Sequence, residues 1–315
     1  MTQPDIGIVI VTYHSEAEIG ACLDAALLTG AEIVVVDNAS TDGTLAEVKR
    51  RPVRLIANST NRGFAAAVNQ GFAVLQCPYV LLLNPDSVLQ SSVEPLRDAC
   101  AQRDVAGAGG LLLDAQGRPQ IGFMVRRFPT AASLTLEALL LNRVWPQNPV
   151  NRRYRALDLD YSCRIEVEQP AGAFLMLRRS VWVELGGFDE SYYPLWFEEV
   201  DFCRRAAARG YRLFYEPRAV AKHTGAHSIS HLTVEMRRIY WYRSLLKYAA
   251  THFRPRAFRG LCLAVAAGSV LRMVAESLLE RRLQPMAVYG DVLRLSGRAL
   301  VFGWRDQSVV PGPQV

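Results

Sequence analysis

Four short apolar runs, at 6–12, 32–37, 53–57 and 79–83, recur in the first 83 residues with helix-patterned segments between them. The runs are rich in Val, Ile and Leu and do not alternate with polar residues. Strands of that kind are covered on both faces. The intervening segments at 16–28, 44–50 and 63–75 read as helices, and Ser15 with Glu18 fits a capping box at the head of the first. Strand and helix alternating at this interval specify an α/β fold: a doubly wound, mostly parallel sheet with helices on both faces.

Such sheets bind ligands outside the carboxyl ends of their strands. The strand ends here carry Thr12, Asp37 and the triplet Asn84-Pro85-Asp86. Pro85 lacks an N–H and stops its strand. Asp86 then either opens a turn or holds a divalent cation that bridges to a diphosphate. Asp37 either begins an Asx-turn or receives a hydrogen bond from a nucleotide base or ribose. The first turn reads Thr12-Tyr13-His14-Ser15 rather than GxGxxG, which weighs against a nicotinamide or flavin dinucleotide fold. No GxxxxGK[ST] is present, so a P-loop is excluded.

Further along, a helix is expected at 92–100, then the small-residue stretch Ala106-Gly-Ala-Gly-Gly110, an apolar triplet and a turn at 114–117. Residues 118–164 read as loops and short helices over the sheet. A strand at 172–177, a helical turn closed by Gly186-Gly187, a helix at 198–209 stopped by Gly210 and a last short strand at 212–215 follow. The helix start at 198 gathers Glu198, Glu199 and Asp201. These either complement the helix dipole, with Asp201 and Arg205 as an i,i+4 pair, or turn one carboxylate into a cleft as a general base. His223, His227 and His231 share i,i+4 spacing, but Gly225 and Ser228-Ile-Ser230 argue against a regular three-His zinc face. A single histidine beside Asp86 fits a metal better.

The 315 residues form one large or two modest domains, and 50% hydrophobic residues exclude general disorder. The net charge of +6 suits polyanionic ligands or an anionic membrane surface. Six cysteines without a CxxC pair exclude a zinc ribbon and point to reduced cytoplasmic thiols. No signal core precedes Ile6, and the longest apolar stretch, 260–271, is closed by Arg259 and Arg272, short of a membrane span. From about 234 onward the pattern is helical, basic and aromatic. Those helices either pack with solvated Arg faces or lie on an anionic membrane.

The motifs occur in a fixed order: Ile10-Val-Thr-Tyr13, Val35-Val-Asp-Asn-Ala-Ser-Thr-Asp-Gly43, Asn61-Arg-Gly-Phe64, Asn69-Gln-Gly71 and Leu83-Asn-Pro-Asp86. Gly172-Ala-Phe174, Gly186-Gly-Phe-Asp-Glu190, Glu198-Glu-Val-Asp201 and His223 complete the set. Over residues 6–230 this set resembles an inverting GT-A glycosyltransferase of family 2, in the rhamnosyltransferase-like branch. The resemblance implies a nucleotide-sugar site at Thr12, Tyr13, Asp37, Asn38, Asn61, Gly63, Asn84 and Asp86. It implies Mg²⁺ or Mn²⁺ on Asp86 and His223, Glu199 as the base with Glu198 as the runner-up, and an acceptor side at Gly187, Asp189 and Asp201. Relatives more often carry Glu-Asp where this chain has Glu198-Glu199.

The expected domains are a catalytic one at 1–235, with a donor half to 115 and an acceptor half beyond, and a helical basic region at 236–315. The expected reaction moves L-rhamnose from dTDP-L-rhamnose to a glycan or lipid-linked acceptor in bacterial cell-surface polysaccharide synthesis. It would occur in the cytoplasm or on the cytoplasmic face of the inner membrane. A UDP-hexose or UDP-galactofuranose donor and a non-catalytic nucleotide-sugar-binding protein are the alternatives. Nucleic acid is not an expected partner, and a homodimer is left open.

Overall fold

The computed structural model describes residues 4–225, 232–280 and 284–304. The first part of the chain runs β1 (Ile6–Thr12), α1 (Ile19–Leu27), β2 (Glu32–Asp37), α2 (Thr44–Lys49), β3 (Arg54–Ala57), α3 (Phe64–Val74), β4 (Tyr79–Leu83) and β5 (Ser87–Leu89). Next come α4 (Glu94–Cys100), β6 (Val105–Leu113), β7 (Val125–Arg126), α5 (Ala131–Ala138), α6 (Leu141–Val144), α7 (Pro149–Tyr154), β8 (Ile165–Val167) and β9 (Gln169–Pro170). The chain continues through β10 (Phe174–Arg178), α8 (Arg179–Leu185), α9 (Glu198–Ala208), β11 (Arg212–His223), α10 (Val234–His252), α11 (Pro255–Glu280) and α12 (Gln284–Phe302).

A nine-stranded sheet has the order β3-β2-β1-β4-β10-β6-β11-β5, with β8 added beside β11. The pairs β2–β3, β1–β2, β1–β4 and β6–β11 are parallel, while β10 runs antiparallel to both β4 and β6. The unbroken apolar runs make two cores, because alternate residues of one strand face opposite ways. Ile8, Ile10, Val35, Leu81 and Leu83 serve one face; Val9, Val11, Val36, Val80 and Leu82 serve the other. Each such side chain contributes about 1.5–3 kcal/mol relative to exposure. Gly71 lets α3 lie close on β1: a Cβ there would stand 2.5 Å from Val9 Cγ1.

Several expectations needed correction. The Ser15–Glu18 capping box does not form, and α1 starts at Ile19 without a side-chain cap. Ser15 Oγ turns back on Tyr13, and the Glu18 and Ile19 amides bond to the Ser15 carbonyl instead. The small-residue stretch is the middle of β6. Glycine is used there because Gly110 lies under the Phe174 ring and Gly109 under Pro170. The last strand is twelve residues long, not four, and ends on His223. The apolar helix is also longer than expected. It continues through Arg272, and α11 is long and apolar enough over Pro255–Leu279 to cross a membrane by length and composition. His227 and His231 lie outside the described residues.

The chain divides into two compact units: 1–128, 153–190 and 198–231 make one, and 129–152, 191–197 and 232–315 make the other. In the first, the sheet and its covering helices form the body. In the second, α10, α11 and α12 pack with α5, and α10 also holds the segment 191–197. Ser244 Oγ donates to the Leu195 carbonyl at 3.0 Å. The Lys247 ammonium bonds Ser191 Oγ and lies 5.1 Å from the Tyr192 ring centre. Phe197 packs on Tyr248 with ring centres 5.3 Å apart. Trp196 and Phe197 are left-handed, at φ 77° and 72°, a conformation costly for bulky residues unless neighbours impose it.

Candidate functional site

The end of β1 and the end of β2 meet through paired register, Thr12 beside Asp37. Asp37 is fully buried. Its Oδ1 accepts from Thr12 Oγ1 at 2.8 Å and Ser40 Oγ at 2.5 Å, and its Oδ2 accepts from the Ser40 amide at 2.9 Å. The Asp37 carboxylate thus fastens the turn at Ser40, three residues on, rather than forming the i to i+2 bond of an Asx-turn. A carboxylate offers about four acceptor positions, so these three bonds leave one. Asn38 continues the cradle, donating to the Gly63 carbonyl and accepting from the Arg62 amide, each at 3.1 Å. Asn61 Oδ1 takes the Gly63 amide at 2.9 Å, and Gly63 supplies the φ of 84° that opens α3. Tyr13 stands half-buried beside His14, ring centres 4.2 Å apart.

On the same rim, β4 ends at Leu83 and the Ser87 amide closes a turn onto the Asn84 carbonyl at 3.0 Å. The Asn84 amide itself bonds the Ala173 carbonyl at 3.0 Å, tying this turn to the Gly172–Phe174 motif. Antiparallel pairing of β5 with β11 sets His223 opposite Ser87, one residue past Asp86. The two side chains, both about 5% exposed, meet with His223 Nε2 3.5 Å from Asp86 Oδ1. The other carboxylate oxygen accepts the Gly225 amide at 3.0 Å.

Gln120 decides which nitrogen of His223 is bare. Its amide nitrogen donates to the His223 carbonyl at 2.7 Å, so its oxygen faces Nδ1 at 3.0 Å and must accept a proton from it. Nε2 then presents a lone pair to Asp86. Burial holds the imidazole below its ordinary pKa, with the Asp86 charge opposing. Two enclosed acceptors facing each other across 3.5 Å call for a cation between them. The residues present thus fit a divalent metal.

Glu198 and Glu199 open α9. Glu198 is 4% exposed and its Oε2 has no hydrogen-bond partner. Burial, and then the Glu199 charge, push its carboxyl well above the usual range. Glu199 is half-buried, and a Cβ on Gly172 would touch its side chain at 3.5 Å. Burial raises its pKa too, against backbone N–H bonds at the helix start and the charge of Arg126. Of the pair, Glu199 has the access that a base for an incoming hydroxyl needs. Glu198 is sealed.

The residues expected on the acceptor side are held by their neighbours. Gly187, at φ 72°, has its missing Cβ position 2.6 Å from Asn69 Oδ1, which accepts the Phe188 amide at 3.0 Å. Asp189 lies half-exposed in the same turn. Asp201 forms the expected pair with Arg205 at 2.7 Å, and Arg205 also grips the Leu185 and Gly187 carbonyls at 2.8 Å each. The Asn69-Gln-Gly71 motif proves structural at each position: Asn69 holds this turn, Gln70 exchanges bonds with Asn58, and Gly71 admits Val9.

Gln120 and Arg126 were missed in the sequence, because they come from an aperiodic stretch where only folding brings a side chain to the rim. Among the described residues no group of three or more His, Cys, Asp and Glu gathers for a metal.

A model of the family described as Glycosyl transferase family 2 matches residues 7–181. An N-acetylglucosaminyl-diphospho-decaprenol L-rhamnosyltransferase of Mycobacterium tuberculosis is 32% identical over 76% of this chain and 87% of its own length. The rhamnosyltransferase WbbL of Escherichia coli is 28% identical over 53% and 60%. Among solved structures, a Pyrobaculum calidifontis mannosyltransferase in complex with GDP-Man and Mn²⁺ superimposes at a TM-score of 0.52. It covers 96% of this chain and 88% of that one at 17% identity, a likeness of fold. The family match spans more than half the chain and the mycobacterial relative most of it: the chain belongs to glycosyl transferase family 2 and is a glycosyltransferase.

Proposed function

We propose that this enzyme transfers L-rhamnose from dTDP-L-rhamnose, with inversion, to a lipid-linked glycan acceptor in cell-surface polysaccharide assembly. The sugar and the acceptor class follow the names of the mycobacterial and Escherichia coli relatives. The observation that carries the chemistry is the buried Asp86–His223 pair with Glu199 on the same rim, reached through Asn84, Ala173 and Gly172.

In this reading the base and ribose of the donor lie along Thr12, Tyr13, Asp37, Asn38, Asn61 and Gly63, and its diphosphate lies by Asn84 and Asp86. Asp86 and His223 would hold Mg²⁺ or Mn²⁺, which would supply positive charge for the departing nucleoside diphosphate. Glu199 takes the proton of the acceptor hydroxyl as that oxygen attacks the anomeric carbon on the face opposite the leaving group. One displacement inverts the centre, and no covalent sugar–enzyme bond is formed. Gly187, Asp189 and Asp201 shape the acceptor side, with Asp201 acting through Arg205.

Glu199→Gln should leave nucleotide-sugar binding intact and lower kcat by about 10²–10⁴-fold; near-normal turnover would remove Glu199 from the base role. Asp86→Ala should abolish the gain in nucleotide affinity that Mg²⁺ or Mn²⁺ gives in titration calorimetry. A thermal-shift screen of dTDP-, UDP- and GDP-sugars settles the donor, and a preference for a UDP-sugar would replace the rhamnose reading.

A further inference from the structure

The positive charge of the chain is concentrated in its C-terminal helices. Residues 232–304 contain twelve Lys and Arg against four Asp and Glu, while the whole chain has 36 against 30. The remainder is therefore slightly acidic. In the same region α11 leaves one apolar face uncovered. Leu263, Val270, Leu271, Val274 and Leu278 are 57%, 48%, 53%, 56% and 73% exposed. Their spacing puts them on a single helical stripe.

The other face of α11 is packed and partly polar. Leu261, Cys262 and Val265 are buried. Gly268 lies against the Ala138 carbonyl of α5, and Arg272 bonds the Glu137 and Ala138 carbonyls at 3.1 and 2.5 Å. Glu276 takes Arg238 at 2.7 Å and Tyr289 at 2.8 Å. A helix tied down on one side by such bonds cannot be surrounded by lipid. One apolar stripe backed by a packed protein face suits an orientation in the plane of a bilayer surface.

Charge selects the occupant. Arg254, Arg256 and Arg259 are exposed at the start of α11, and Arg281 and Arg282 follow its end in the sequence. Exposed cations at the head of an apolar stripe match headgroup phosphates above acyl chains. A cavity of about 500 Å³ in this unit, lined by Arg243, Arg294, Arg298, Phe302 and Trp304 with Asp291, adds cationic surface. A second copy would bring like charges together, which disfavours a dimer on this face.

We propose that the exposed face of α11 docks on an anionic lipid bilayer, with its apolar stripe among the upper acyl chains and Arg254, Arg256 and Arg259 on headgroup phosphates. The proposal rests on this unit alone and is independent of the donor. The test is co-sedimentation of the full chain with phosphatidylcholine vesicles, with and without phosphatidylglycerol. Binding should favour the anionic vesicles by more than about tenfold and weaken with salt. Val274→Glu with Leu278→Glu should lose that binding while melting temperature and nucleotide-sugar affinity stay unchanged, since both positions face solvent. Equal binding to neutral and anionic vesicles, or undiminished binding of the double variant, overturns the proposal. So does a wild-type dimer that ignores vesicles and becomes monomeric in the variant.

Discussion

At the scale of single residues, the site is governed by which carboxylates and rings are sealed. Glu199 keeps partial access, and its pKa is raised by burial and restrained by Arg126. As the proposed base it works only when deprotonated, so activity should fall as pH drops through that raised value. Arg126→Gln removes the restraining charge. The acid limb of the kcat profile should therefore move to higher pH, with little change at the alkaline plateau; an unmoved or lowered limb would show that Arg126 does not act on the base. Asp37 and Asp86 were legible as candidates because a polar residue ending an apolar strand falls on the sheet rim. Gln120 was not. It sets the His223 tautomer from 103 positions away in the sequence, and nothing local marks a side chain that acts by meeting a distant partner.

At the scale of elements, β1, β2, β4 and α9 were readable because burial on both faces, or a glycine stop, leaves a local pattern. β6 was not, since its small residues answer to neighbours. Gly107 pairs with Leu177 of β10, and a Cβ there would stand 2.6 Å from the Met176 carbonyl oxygen, a backbone atom that cannot step aside. Gly107→Ala should destabilise the fold by about 1–3 kcal/mol, read as a lower urea midpoint with an unchanged slope. A neutral substitution would mean that the β6–β10 pair has slack. The length of β11 was hidden for a related reason. Its end, from Val220 to His223, resumes pairing with β6 after a register shift past Glu216 and adds β5, partners that no local pattern announces.

At the scale of the whole molecule, the two units are interleaved along the chain. Residues 129–152 and 191–197 leave the sheet-bearing unit in sequence and belong with the C-terminal helices. Removing 232–315 would strip α5 of its packing on α11 and the 191–197 segment of its hold on α10. Such a truncation should bind a hydrophobic dye, resist crystallisation as a minimal domain and lose transfer; a well-folded, active fragment ending at 231 would contradict the interleaving. Sequence reading drew a boundary at 235 because composition changes there, and composition does not register which earlier segments return to a later unit.

The hold of α10 on 191–197 also carries a consequence for synthesis. The segment ends at the left-handed pair Trp196 and Phe197, immediately before Glu198-Glu199, and is held where Ser191 meets Lys247, the Leu195 carbonyl meets Ser244 and Phe197 meets Tyr248. A growing chain therefore completes its strands and its Asp86–His223 pair before α10 exists to hold the segment that leads into Glu198 and Glu199. The order of synthesis thus makes this segment one of the later parts of the fold to be fastened.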